Sequence, residues 1–142
     1  HSFSRRQRQM CIRDRNSSVG ILKISQDGDE IWSKTIGGSY GIPGNSLQYI
    51  DNGNYVMICS LFNYGNNSFN SYLLQFNDTG NILWDIIWGD KKDDHGLGVL
   101  QTLDGGFIIT GSTNNYGNGN VFNSDLLLLK TDANGMMVKF NI

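Results

Sequence analysis

Two short stretches of this 142-residue chain place aromatic rings and side-chain amides at matching positions: "NYGNNSFNS" at 63 to 71 and "NYGNGNVFNS" at 115 to 124. An asparagine amide both donates and accepts hydrogen bonds, as sugar hydroxyls require, and a tyrosine or phenylalanine face stacks on a pyranose ring. Tyr64, Asn66, Tyr116 and Asn118 are therefore the candidate contacts for a glycan or protein ligand. The bland alternative is that the same residues simply build long irregular turns.

A third stretch, "WGDKKDDHGLG" at 88 to 98, concentrates charge. Asp90, Asp93 and Asp94 offer hard oxygens of the kind Ca²⁺ takes, but their spacing is not that of an EF-hand loop. The corresponding stretch "GGSYGIPG" at 37 to 44 has no acid at all, so no metal site is assigned and these three remain the calcium candidates. His95 is the sole histidine after His1. Acyl-transfer chemistry needs a nucleophile beside a base and a group that orients the base. Neither is visible around His95, which reads as a solvated loop residue, and no catalytic residue or cofactor is identified.

The elements that position these loops are repeated. "ILKISQDGDEIW" (21 to 32) returns as "LLQFNDTGNILW" (73 to 84), setting Gly80 and Trp84 52 residues after Gly28 and Trp32. "DNGNYVMICS" (51 to 60) matches "LDGGFIITGS" (103 to 112) at the same offset, and "LLKTDANGMMVK" (128 to 139) brings Gly135 55 residues after Gly80, with Lys139 in the tryptophan's place. Internal periods of this length mark stacked repeat architectures. Repeats are assigned to 21–72, 73–127 and a partial 128–142.

Within the second period, strands are predicted at 82–88, 98–102, 106–112 and 125–131, joined by Asp-Gly, Asn-Gly and Gly-Asn turns that close hairpins. Four short strands per period make a four-stranded antiparallel sheet. "FIIT" and "LLLL" are apolar without alternation, so each sheet must be covered on both faces. The expected fold is all-β: about two and a half four-stranded antiparallel blades of a β-propeller, an incomplete fragment of a larger ring. Trp32 and Trp84 are expected to dock neighbouring blades, and Cys59 to be a small buried apolar residue.

"TLDGGFIITGSTNNYGNGN" and "GNILWDIIWGDKKDDHGLGVLQT" resemble the tandem β-propeller repeats of about fifty residues found in large secreted or surface proteins of bacteria and archaea. That resemblance covers about residues 20 to 138. It implies an extracellular or cell-surface location and a non-enzymatic binding, adhesive or scaffolding use, with neighbouring blades as partners. Two departures from the family pattern are Cys59, where Gly111 keeps the glycine, and Lys139. The Gly-x-x-x-Trp ends are also similar to quinone-binding propellers, so the alternative is part of an enzyme propeller, quinoprotein-like or acting on polysaccharide. That alternative requires catalytic acids and a complete ring.

Charge narrows the partners. Residues 16 to 142 hold six Lys against twelve Asp and Glu, a net of -6, and no Arg. Such a surface lacks the clustered cations that neutralise phosphates, which argues against nucleic acid. No stretch approaches the eighteen or so apolar residues of a membrane helix, so no insertion is expected. All five arginines lie in "RRQRQMCIRDR" at 5 to 15. Those codons resemble translated adapter DNA of a transposon-type sequencing library: CGT CGG CAG CGT CAG ATG TGT ATA AGA GAC encodes Arg5 to Asp14. Residues 1–15 are accordingly read as a non-native, adapter-derived segment and 16–142 as the repeat fragment.

Overall fold

The computed structural model describes residues 8–13, 19–36, 41–63, 67–89, 91–114 and 124–138. The described residues form an all-β structure of ten strands in three antiparallel sheets. The first sheet has the order β1 (Arg8–Arg13), β2 (Val19–Ile24), β3 (Glu30–Ile36). In the middle sheet β4 (Gly41–Tyr49), β5 (Tyr55–Asn63), β6 (Ser68–Phe76) and β7 (Ile82–Trp88) follow in sequence. The last sheet is β8 (Asp94–Gln101), β9 (Phe107–Thr113) and β10 (Asp125–Thr131).

One turn recurs five times at one end of the sheets. In each, a residue accepts from the N–H of a glycine three positions on and donates to the carbonyl four positions on, as in Asn77 with Gly80 (3.0 Å) and Asn81 (3.0 Å). Gly28, Gly53, Gly80, Gly105 and Gly135 fill the third loop position with φ between +78° and +94°. This is a type I turn closed by a left-handed glycine, a three-residue hairpin loop rather than a two-residue one. An Asp or Asn side chain tightens several of them, Asn77 Oδ1 accepting from Thr79 and Asn81 N–H groups and Asp132 Oδ1 from Asn134 and Met136.

The expected strands at 82–88 and 125–131 coincide with β7 and β10. β8 starts four residues earlier than the predicted 98–102, because a bulge at Gly96 to Gly98 lets the strand continue through a glycine-rich stretch that reads as loop. The grouping also differs from the sequence period. β7 pairs with β6 and not with β8, so one sheet ends with β3 and the next with β7, and the 73–127 period straddles two of them. The tight glycine turn at 77–81 is what binds β7 to its predecessor. Arg8–Arg13 form β1 beside β2, where β5 and β9 stand in the other sheets. That pairing is a main-chain ladder, which asks for extended backbone and not for particular side chains.

The middle sheet is buried on both faces. Tyr55, Met57, Cys59, Tyr72, Leu74 and Phe76 pack with Val19, Ile21 and Ile36 of the first sheet. The alternate residues Val56, Ile58 and Leu73 pack with Val99, Phe107 and Ile109 of the last. Since successive side chains in a strand point to opposite faces, an unbroken apolar run is what a doubly covered sheet demands. Residues 55 to 60 are all buried. Each wholly buried Leu or Ile here contributes roughly 1.5–3 kcal/mol of transfer free energy.

Tryptophans lock the stack. Trp32 of β3 lies over the glycine turn of the middle sheet, so that a Cβ on Gly80 would come 3.1 Å from its ring. Its indole N–H donates to Asp78 O at 2.9 Å and its ring meets Phe76 edge-on at 6.4 Å. Trp84 of β7 covers Gly135 of the next turn even more closely, at 2.6 Å from an added Cβ, and packs on Phe107 at 5.9 Å. The first contact is reinforced by charge. Lys23, almost fully buried, places its ammonium on the Asp78 carboxylate, and Lys34 Nζ donates to Gly80 O at 2.7 Å.

Candidate functional site

The sheets present two unlike ends. Among the described residues, five tight turns occupy one, while the other holds Asn63, Ser68, Trp88, Asp94, Thr113 and Asp125, the strand ends between which the segments after β5, β7 and β9 run. Loops carried at one end of a rigid scaffold are where binding function concentrates. Tyr64, Asn66, Tyr116 and Asn118, in the segments after β5 and β9, lie outside the described residues, as does Asp90.

The described residues here enclose a polar hollow of about 190 Å³ lined by Asn67, Ser68, Lys91, Lys92, Asp93 and Asn114. Asn67 has φ +55°, a left-handed conformation that asparagine tolerates better than most residues. Asp93 staples the hollow together: its carboxylate accepts the Phe69 N–H at 2.9 Å and its carbonyl the Asn114 N–H at 2.9 Å. The Asn114 Oδ1 is buried without a hydrogen-bond partner, a group that costs free energy until something donates to it. Exposed Lys91 and Lys92 give the rim a positive character on an otherwise acidic chain.

Asp94 departs from the loop position expected of it. It opens β8, is 3% exposed, and accepts a hydrogen bond from the Thr113 hydroxyl across the sheet. Two of the three calcium candidates are thus engaged by protein donors, and among the described residues no group of three His, Cys, Asp or Glu side chains is placed to hold a metal.

His95 likewise belongs to β8 and not to a solvated loop. Its ring tilts against Phe69 at 5.2 Å, and Nδ1 lies 3.4 Å from Ser60 Oγ. Ser60 has no exposed surface, so its hydroxyl is not offered to a substrate. The pair therefore fills the junction of the middle and last sheets.

A second concavity, about 590 Å³ and mainly apolar, runs along the β10 edge between Ile87, Trp88, Leu127, Leu129 and Met137. It lies beside β10, at the place that β7 takes beside β6 in the middle sheet, and Met137 begins the equivalent pairing through a bridge to Thr131.

Among the described residues, three groups titrate away from their usual range. Burial, then the charge and hydrogen bond of Asp78, push the Tyr55 hydroxyl up to about 12. Burial and the hydrogen bond to Asp85 raise Tyr72 further still. Asp104 is held well below the carboxylate range by the Thr102 hydroxyl, Lys130 and the Gly106 N–H. Tyr55 and Tyr72 lie in the first interface and Asp104 in a tight turn, so none belongs to the loop end. Neither a protein-family model nor a curated protein matches the chain.

Proposed function

We propose that this chain is a non-enzymatic binding or scaffolding module built from β-propeller-type repeats, part of a larger secreted or surface protein, whose ligand contacts are made at the loop end. The observation that carries the proposal is the middle sheet, closed on both faces by equivalent tryptophan-over-glycine contacts, Trp32 on Gly80 and Trp84 on Gly135. A stack held in that way is rigid at its centre and leaves its loops to do the contacting. The ligand class is a glycan. The hollow offers amides, two lysines and an unsatisfied carbonyl oxygen, and the aromatic-amide loops at 64–66 and 115–123 border it in sequence.

Saturable binding to an array of neutral and acidic oligosaccharides, without turnover, is the expected result. Asn114→Ala and Tyr116→Ala should each weaken it at least tenfold while leaving thermal unfolding unchanged. An array with no saturable binder, or release of product from one, would overturn the proposal.

A further inference from the structure

Three Asn-Gly pairs occur in the chain, at 52–53, 118–119 and 134–135. Residues 118–119 lie outside the described residues. The other two fill the same place in the tight turns at 50–54 and 132–136, asparagine at the second loop position and left-handed glycine at the third. Asn52 and Asn134 are both exposed. A glycine after asparagine has no Cβ to shield its amide nitrogen, so that nitrogen can close on the carbonyl carbon of the asparagine side chain.

The two turns differ in what covers the nitrogen. Gly135 is buried beneath Trp84, whose ring lies 2.6 Å from where a Cβ would stand, with Ile86 at 3.0 Å. Gly53 is only half-buried, and the nearest described atom outside its own turn is Tyr49 Oη, 3.8 Å from its Cβ position. The hydrogen bond that must open to free the nitrogen is equally long in both, Gly53 N–H to Ile50 O and Gly135 N–H to Asp132 O at 3.1 Å. Only Gly135 must also leave an indole, and that local opening adds to its barrier.

We infer that Asn52 is a site of self-modification, deamidating through a succinimide, while Trp84 shields Asn134 from the same reaction. The Gly53 nitrogen gives up its proton and forms a bond to Asn52 Cγ; the Cγ–Nδ2 bond breaks and the side-chain nitrogen leaves as ammonia. One water then opens the ring. Opening at Cγ leaves aspartate. Opening at the main-chain carbonyl leaves isoaspartate, whose backbone runs through Cβ and Cγ and is longer by an atom.

The fold receives the two products differently. Aspartate already stands at this position in the turns around Gly28 and Gly105, and Asp104 Oδ1 accepts the Gly106 N–H at 3.0 Å as Asn52 Oδ1 accepts the Asn54 N–H at 3.1 Å. The longer isoaspartate breaks the closure of Ile50 N–H on Asn54 O. Its neighbour Asp51 ties the middle sheet to the last. The Asp51 N–H donates to Gln101 Oε1 at 3.2 Å, its carboxylate accepts from Gln101 Nε2 at 3.0 Å, and Gln48 Oε1 accepts the Gln101 N–H at 2.7 Å. Isoaspartate at 52 therefore loosens that junction as the protein ages, at the tight-turn end and independently of any ligand at the loops.

Ageing the folded chain at mildly alkaline pH, where more of the amide nitrogen is deprotonated, tests this by peptide mapping and isoaspartyl labelling. Asn52 should convert several times faster than Asn134, and the isoaspartate fraction should unfold at a lower temperature. In guanidinium chloride, with the indole gone from Gly135, the two rates should converge. Asn52→Thr supplies the residue that Thr79 provides in the turn at 77–81, so it should fold and lose less of its unfolding midpoint through the same ageing. Asn134 converting as fast as Asn52 in the folded chain overturns the inference. So does an Asn52 that stays intact in the folded chain after the denatured chain has converted, or an Asn52→Thr chain whose midpoint falls as far as that of the unaltered protein.

Discussion

Lys23 is a lysine with almost no exposed surface, and the neutralisation of its charge decides how the first and middle sheets hold together. Its ammonium contacts the Asp78 carboxylate and donates to Asp78 O at 3.1 Å; the two side chains are 4% and 54% exposed. Asp78→Asn removes the counter-charge and leaves the cation in place. Breaking a fully buried pair costs about 3–5 kcal/mol, and an exposed pair contributes about 0–1 kcal/mol. A buried cation with a half-exposed anion falls between, at about 1–3 kcal/mol.

Lys23→Met removes the charge instead. Its apolar side chain packs beside Val19 and Ile21 while Asp78 returns to water, so this variant should stay within about 1 kcal/mol of the unaltered protein. At roughly 2–4 °C per kcal/mol for a chain of this size, Asp78→Asn should lower the unfolding midpoint by about 2–12 °C. Thermal unfolding followed by tryptophan fluorescence reads both variants. If Asp78→Asn is silent, or Lys23→Met costs as much, then charge burial does not govern this interface.

Further outcomes follow from the same packing. Gly28→Ala should cost only the backbone penalty of a left-handed residue, about 1–2 kcal/mol, because its surroundings are open, whereas Gly135→Ala should cost clearly more, since the added methyl would lie 2.6 Å from Trp84; urea midpoints of the two compare them directly. Leu73→Ala, fully buried, should lose about 2–5 kcal/mol, while Leu128→Ala, 66% exposed, should stay within about 0.5 kcal/mol. Raising the pH tests Tyr55. Its neutral form is favoured in the folded state, so the stability it contributes is intact below the unfolded value near 10 and is lost as pH rises toward about 12. Tyr55→Phe should therefore flatten the alkaline arm of the stability profile measured by thermal unfolding.

How much was legible depends on what each feature needs. The strands at 82–88 and 125–131 are readable because each is an apolar run bounded by an Asp or Asn and glycine turn, a purely local signal. The docking role of Trp32 and Trp84 follows from their fixed distance to a repeating glycine. Periodicity, however, carries no phase. Whether β7 pairs backward with β6 or forward with β8 is set by the compactness of the turn at 77–81 against the longer crossing at 89–93, and the offset of 52 is the same either way. The bulge at Gly96 to Gly98 hid the start of β8, and with it the burial of Asp94 and the strand position of His95. The polar hollow was partly visible through its loops, but Lys91, Lys92 and Asn114 come together only when β7, β8 and β9 are folded.

The tryptophan of one unit and the glycine beneath it belong to different units, and that sets a rule for how genes of this kind can lengthen or shorten. A duplication or deletion that spans a whole period returns every indole to a glycine, wherever its endpoints fall. One that removes part of a period strands an indole over a side chain, or leaves a left-handed turn uncovered, and the damage appears in the neighbour and not at the scar. Insertions at the tight-turn end should be purged for that reason, and those at the loop end kept. The length polymorphism of such chains should accordingly come in whole periods plus changes confined to the segments after β5, β7 and β9.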